Sequence, residues 1–172
     1  MENATLYAPW RMEYIRGLIK PAADEGCFIC DAGASTNEEQ KRQRLVLWTT
    51  PSVVVLMNRY PYANGHLLVA PRAHKPDPEL LDEAEQLELL QQITEGVKLL
   101  RRAVSAQGFN IGLNLGRCAG AGVPGHLHWH IVPRWAGDVN FMGVVGEVRV
   151  IPQAISELYN ELLRVRAEMT SK

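Results

Sequence analysis

The sequence has little cysteine, three residues in 172, and almost no net charge, -1 by formal count. Cys27 and Cys30 form a Cys-x-x-Cys pair and Cys118 stands apart, too few and too unevenly spaced for the disulfide framework of a small secreted protein. The near-neutral balance supplies no global field for nucleic acid or an anionic membrane surface, partners that draw on a basic excess. Any anionic ligand must therefore be held by local groups. No apolar run approaches the ~20 residues needed to cross a bilayer, and the opening MENATLYAPWRMEY lacks a basic segment followed by an apolar one. These absences point to a cytoplasmic protein that has neither nucleic acid nor membrane as a partner. Internal repeats and low-complexity stretches are missing as well.

What is there is a globular composition, 47% apolar and 22% charged. Its length suits one core, since a chain of roughly 150 residues buries about 70% of its unfolded surface. Residues 1–26, with Pro9, Pro21 and the stretch WRMEYIRGLI, read as an N-terminal arm carrying a short helix, ahead of a single domain over 27–172. GASTNEEQKRQR (33–44) reads as an exposed connection. LVLWTT (45–50), SVVVLMN (52–58) and HLLVAP (66–71) are β-branched and apolar, hence strands, with the turn RYPYANG (59–65) before the last of them.

Leu80, Leu87, Leu90, Ile93, Val97, Leu100 and Val104 recur at helical spacing, which predicts an amphipathic helix over 79–106 stopped by Gly108. FNIGLNL (109–115) and HLHWHIVP (126–133) read as two further strands, and Ile155, Leu158, Leu162 and Val165 line one side of a last helix after Pro152. Strands, a long helix, strands and a final helix make an α+β domain with a mainly antiparallel sheet.

The chemistry concentrates in His126-Leu127-His128-Trp129-His130. Alternation along a strand puts the three imidazoles on one face, about 6.6 Å apart from one to the next, and Leu127, Trp129 and Ile131 on the other. Two chemistries fit that face. An imidazole is a nucleophile when one ring nitrogen is tied up by a hydrogen bond and the other presents its lone pair. Alternatively, a three-histidine centre can hold a metal that activates water. Spacing does not separate them. The preceding loop carries Gly116, Gly120, Gly122 and Gly125, residues that let backbone N–H groups approach an anion, and so favours a phosphoryl ligand. Cys27-x-x-Cys30 has the spacing of a thiolate pair on tetrahedral zinc, which needs further ligands, or of a redox pair, or the two are small buried apolar residues, while Cys118 reads as a packing residue.

GHLHWHIVPRW resembles the motif of the histidine triad (HIT) family, and VLMNRYPYANGHLLVAPRAH (55–74) and NIGLNLG (110–116) are similar to that family's earlier strands. APWRMEYIRG and GAGVPGHLHWHIVPRWAGDVNFM further resemble its branch of bacterial diadenosine tetraphosphate phosphorylases and hydrolases. The resemblance implies the HIT-like fold and a reaction in which His128 attacks the α-phosphorus and briefly bears the nucleotide, while His130 contacts the phosphate. It places Asn58 at the ribose, Leu68 at the base pocket, His66 near the substrate, and Asn114 and Gly116 at the phosphates. It also implies a homodimer and no organic cofactor.

Where many relatives carry Gln followed by Ser or Thr, this chain has Gly122 and Val123, so handling of the leaving group falls to backbone amides or other residues. The loop is one residue longer as well. By the same resemblance, His74 and His126 complete the zinc set with Cys27 and Cys30, in a structural site pinning the N-terminal segment to the sheet. A zinc that takes His126 weakens the metal-hydrolase reading of the triad, because only His128 and His130 then remain near a catalytic ion. The expected substrate is an adenine nucleotide or dinucleoside polyphosphate, with water or phosphate as acceptor. Hydrolysis of adenosine phosphoramidates and a nucleotide-binding interaction protein with vestigial activity are the alternatives.

Overall fold

The structure, a computed structural model, describes residues 26–138 and 153–171. The arm helix expected within WRMEYIRGLI, and Pro152, lie outside the described residues. Five strands, β1 (Val46–Thr49), β2 (Val53–Met57), β3 (Leu67–Pro71), β4 (Gly108–Leu113) and β5 (Trp129–Arg134), form one sheet in the order β1-β2-β3-β5-β4. Every neighbouring pair is antiparallel, as the α+β reading expects. Each residue of β2 and β3 is buried because the sheet is covered on both sides.

One face packs under the long helix α3 (Glu83–Val104) and the terminal helix α4 (Ile155–Thr170), through Val55, Leu67, Val69, Ile131, Leu99, Leu100 and Leu162. The other face meets the short helix α1 (Phe28–Gly33), whose Ile29 and Ala32 sit on Val54, Leu56, Leu68 and Ala70. Burying one such Leu or Ile contributes about 1.5–3 kcal/mol, so strands and helices together stabilise the fold through these two apolar layers. Among the described residues no helix is long and apolar enough to cross a membrane.

The polar stretch 33–44 is not wholly a connection: Glu38–Gln43 form helix α2, started by the Asn37 side chain accepting the Gln40 N–H at 2.9 Å. This helix buries no residue, so periodicity had nothing to report and only its N-cap and acidic-then-basic order betray it. The long helix starts at Glu83, later than its pattern suggested, because Asp82 and Glu85 form a capping box; Pro78–Leu80 is a separate 3-10 turn. It ends at Val104, where Ser105 takes the left-handed conformation with φ 52, and Gly108 opens β4 instead of stopping the helix.

Its inward stripe is Leu89, Ile93, Gly96, Leu99 and Leu100, while Leu80, Leu87 and Leu90 are exposed at 55%, 58% and 61%. Gly96 completes the stripe: a Cβ there would lie 2.9 Å from Ile131 Cδ1, so the helix approaches the sheet tightly at a residue an apolar count passes over. The last helix carries Leu158, Leu162 and Val165 inward as expected, joined by Tyr159.

Candidate active site and metal centre

The regular strand β5 begins at Trp129, so His126 and His128 stand just before it and not within it as expected. The alternation nevertheless holds, since Leu127, Trp129 and Ile131 all join the core beneath the helices. Backbone pairing also begins early, with the Leu127 N–H donating to Lys75 O at 2.7 Å. Lys75 is itself tied to Glu85 at the start of α3 by an ion pair of 2.6 Å, which fixes the entry to the triad against the helix N-terminus.

His126 is fully buried and belongs to a separate cluster. Its Nε2–H donates to Pro71 O at 2.7 Å, which leaves Nδ1 with a lone pair 3.2 Å from Cys27 Sγ and 3.4 Å from Cys30 Sγ. His74 Nδ1 lies 3.2 Å from Cys30 Sγ. One ligand atom each from Cys27, Cys30, His74 and His126 falls within 4.8 Å of the others. Tetrahedral zinc with bonds of 2.0–2.3 Å sets its ligand atoms roughly 3.3–3.8 Å apart, so two thiols and two imidazoles here fit that ion with little movement. Burial, and next the adjoining Cys27, push the Cys30 thiol up to about 11; a bound cation reverses that preference by stabilising the thiolate. Gly125 contributes space: a Cβ at that position would stand 3.3 Å from His74 Nε2.

His128 is 7% exposed. Its Nδ1–H donates to His126 O at 2.8 Å, so in the neutral ring Nε2 carries the lone pair. His130 lies beside it, with ring centroids 5.0 Å apart, and pairs with Leu68 across β3 and β5. The His130 Nδ1 is 3.0 Å from Nε2 of His66, which is 1% exposed. The Tyr62 ring covers this pair, at 4.7 Å from His66 and 5.9 Å from His130 between centroids. Burial, and after it His128, push His130 down to about 4.

The remaining expected residues surround this centre unevenly. The Asn58 side chain is engaged in the turn, Oδ1 accepting from Tyr60 N at 2.9 Å and Nδ2 standing 3.2 Å from His66 Nδ1. Leu68 is 3% exposed and packs with Ile29 and Ala70. Asn114 reaches across the loop to Gly120 O at 3.5 Å. Gly116 and Gly122 have open space where a Cβ would sit, and Gly116 has φ 74. Val123 closes the loop by accepting from His126 N at 3.2 Å. Gly125, grouped with the phosphate-cradling glycines on sequence, has His74 against its Cα instead. Two contributors were missed: the Pro71 carbonyl, which no side-chain pattern announces, and Tyr62, whose place in RYPYANG reads only as a turn.

A family model for the HIT domain matches residues 39–137. The chain belongs to the histidine triad family. It is 33% identical over 153 residues to the AP-4-A phosphorylase of Mycobacterium tuberculosis, covering 88% of this chain and 78% of that one. A shorter match, 32% over 93 residues, links 54% of this HIT protein to 50% of the asymmetrical bis(5'-nucleosyl)-tetraphosphatase of Schizosaccharomyces pombe. The fold is shared with a Zn-bound histidine triad family protein from Mycobacterium smegmatis at a TM-score of 0.65 and 23% identity, over 85% of this chain and 96% of that one.

Proposed function

We propose that this HIT protein cleaves dinucleoside polyphosphates, diadenosine tetraphosphate among them, through a nucleotide carried covalently on His128, with inorganic phosphate as the preferred acceptor. The observation that carries the reading is the 2.8 Å bond from His128 Nδ1–H to the His126 carbonyl. It holds the proton on the far side of the ring and turns the Nε2 lone pair outward, as a nucleophile requires. Similarity to an AP-4-A phosphorylase over 88% of the chain supports both the substrate class and phosphate as acceptor.

In the first step His128 Nε2 attacks the α-phosphorus. A bond from Nε2 to phosphorus forms, the bond from phosphorus to the bridging oxygen breaks, and ATP departs with its electron pair. The ring becomes cationic, and the His126 carbonyl, still accepting from Nδ1–H, stabilises that charge. In the second step an oxygen of inorganic phosphate attacks the phosphorus, the bond to Nε2 breaks, and ADP leaves while the acceptor's proton passes to solvent. Water in place of phosphate gives AMP. Amides around Gly116 and Gly122 and the His130 ring serve the phosphate oxygens, while Asn58 and Leu68 border the nucleoside; this is chiefly positioning and electrostatics.

Zinc held by Cys27, Cys30, His74 and His126 is structural in this reading, because all its positions are filled by protein. It anchors the segment before α1 to the start of the triad and takes no part in the reaction. The proposed domain spans 27–172, and the near-neutral composition agrees with a cytoplasmic setting in which the thiols stay reduced. The sheet edge β4 exposes Ile111 at 47%, close in sequence to Leu115 at 42%, and α3 exposes Leu87 and Leu90. Among the described residues no strand pairs with the outer side of β4, and such an edge with apolar residues supports a homodimer, which light scattering tests.

Incubation with diadenosine tetraphosphate, with and without phosphate, tests the reaction. ADP plus ATP in the presence of phosphate is expected; AMP plus ATP regardless of phosphate makes the protein a hydrolase, and no turnover removes the proposal.

A further inference from the structure

Next to the nucleophile runs a chain of hydrogen bonds whose protons can be placed one by one. It starts from backbone N–H groups, which donate and never accept. Tyr60 N donates to the Asn58 side chain at 2.9 Å, so the atom it meets is Oδ1 and the amide of Asn58 is oriented. That orientation turns Nδ2, a donor, toward His66 Nδ1 at 3.2 Å. The Tyr62 N–H points at the same nitrogen from 3.1 Å. Two donors converge on His66 Nδ1, so this nitrogen holds a lone pair and the proton of the neutral ring sits on Nε2.

The next link follows. His66 Nε2–H faces His130 Nδ1 at 3.0 Å, so Nδ1 of His130 must accept and its own proton moves to Nε2. His130 Nε2 is buried and has no hydrogen-bond partner among the described residues. A buried N–H without an acceptor has lost its water and gained nothing in return, and its neighbour His128 is the ring that would carry the nucleotide.

We infer that Asn58 and His66 are positioning residues, which hold His130 in the tautomer that donates from Nε2, so that the third triad histidine offers a neutral donor to a non-bridging phosphate oxygen. The inference deepens the proposed function and rests on it for the identity of the acceptor. It also gives the turn 58–66 a task beyond connecting strands: its main chain sets the proton inventory of the active site two rings away. A further consequence concerns metal. A cation at the triad would need the lone pair of His130 Nε2, the position this network keeps protonated, so His128 and His130 are arranged against sharing an ion and for binding an anion.

The tautomers are measurable without turnover. Long-range proton–nitrogen NMR of 15N-histidine-labelled, zinc-loaded protein without nucleotide reports which ring nitrogen bears hydrogen, with His66→Gln and His130→Gln spectra for assignment. His66 and His130 are expected to carry hydrogen on Nε2 and His128 on Nδ1. A His130 ring protonated on Nδ1, or on both nitrogens at neutral pH, overturns the inference.

The kinetic arm uses His66→Phe, which keeps a ring but has no donor for His130. It is expected to lower kcat by about tenfold or more, within the range for a positioned hydrogen bond, while KM changes little; His66→Gln, whose amide can donate to His130 Nδ1, recovers part of the loss. Unchanged kcat in His66→Phe contradicts the inference. Protein that shows the expected tautomers yet turns over no dinucleoside polyphosphate supports this network and sinks the reaction proposed above, so the two fail separately.

Discussion

His126 and His128 are coupled by a hydrogen bond, the His128 ring donating to the His126 carbonyl at 2.8 Å, while the His126 ring faces Cys27 and Cys30. The proposed nucleophile is thus oriented by the main chain of a proposed metal ligand. Loss of the metal should loosen this contact, which fixes the His128 tautomer, although the metal touches none of the reacting atoms.

Metal content is the first consequence. Protein purified without metal-affinity resin is expected to hold roughly one equivalent of zinc per chain in the Cys2His2 set, measured by elemental analysis. Gly125→Ala should weaken it about tenfold or more, in line with other disturbances around ligands, because the added Cβ would stand 3.3 Å from His74 Nε2. Competition with a chromogenic chelator reads the change; equal affinity in the variant contradicts the assigned geometry.

Acid stability follows from His130. Its folded-state value is pushed down to about 4, by burial first and His128 second, from an ordinary 6.5. Between those values the unfolded chain binds a proton that the folded chain refuses, so this contribution is complete above pH 6.5 and is lost as pH falls toward about 4. His130→Gln cannot titrate, and its Tm is expected to fall less than that of the parent between pH about 6.5 and about 4.5. Metal release affects both proteins alike, so parallel Tm curves would speak against the shift.

The turn that carries Tyr60 and Tyr62 ends in Gly65, at φ +84, where a Cβ would lie 2.9 Å from Leu100 Cδ2. Gly65→Ala combines a left-handed backbone penalty with crowding against α3 and should cost about 1–3 kcal/mol in denaturant unfolding. It should also shift His66 and lower kcat, since His66 is the next residue. A variant as stable as the parent would mean that the turn tolerates a side chain there.

In the second layer, Tyr159 is 2% exposed and its hydroxyl donates to Val46 O at 2.8 Å, clamping α4 to β1. Tyr159→Phe leaves that carbonyl without its donor and should cost about 1 kcal/mol. Urea denaturation measures it, and a neutral result would indicate that α4 is held by packing alone.

Much of this was legible in the residues. The β-branched runs around Val54 and Val69 declare strands, because a sheet covered on both faces needs side chains that pack in either direction. The triad and the Cys-x-x-Cys pair declare chemistry, because alternation and spacing limit what they can touch. Helix α2 buries nothing, so its pattern was silent. Periodicity assigns Leu87 and Leu90 to the inward stripe of α3, yet both are exposed, and Gly96, which has no side chain to count, faces the sheet. The main-chain partners of the site stayed hidden: the Pro71 carbonyl, the His126 carbonyl and the Tyr62 amide take their positions from the fold, and their residue names carry no sign of it.

The central claim is a bond from His128 Nε2 to phosphorus, and rapid quenching into alkali, where a nucleotidyl imidazole survives, followed by intact mass measurement and peptide mapping, tests it directly. With diadenosine tetraphosphate and no phosphate, the account predicts one adenylyl group on the peptide containing His128 and none in His128→Ala, which also fails to turn over. Full activity in His128→Ala, or an adduct mapped to another residue, would contradict it.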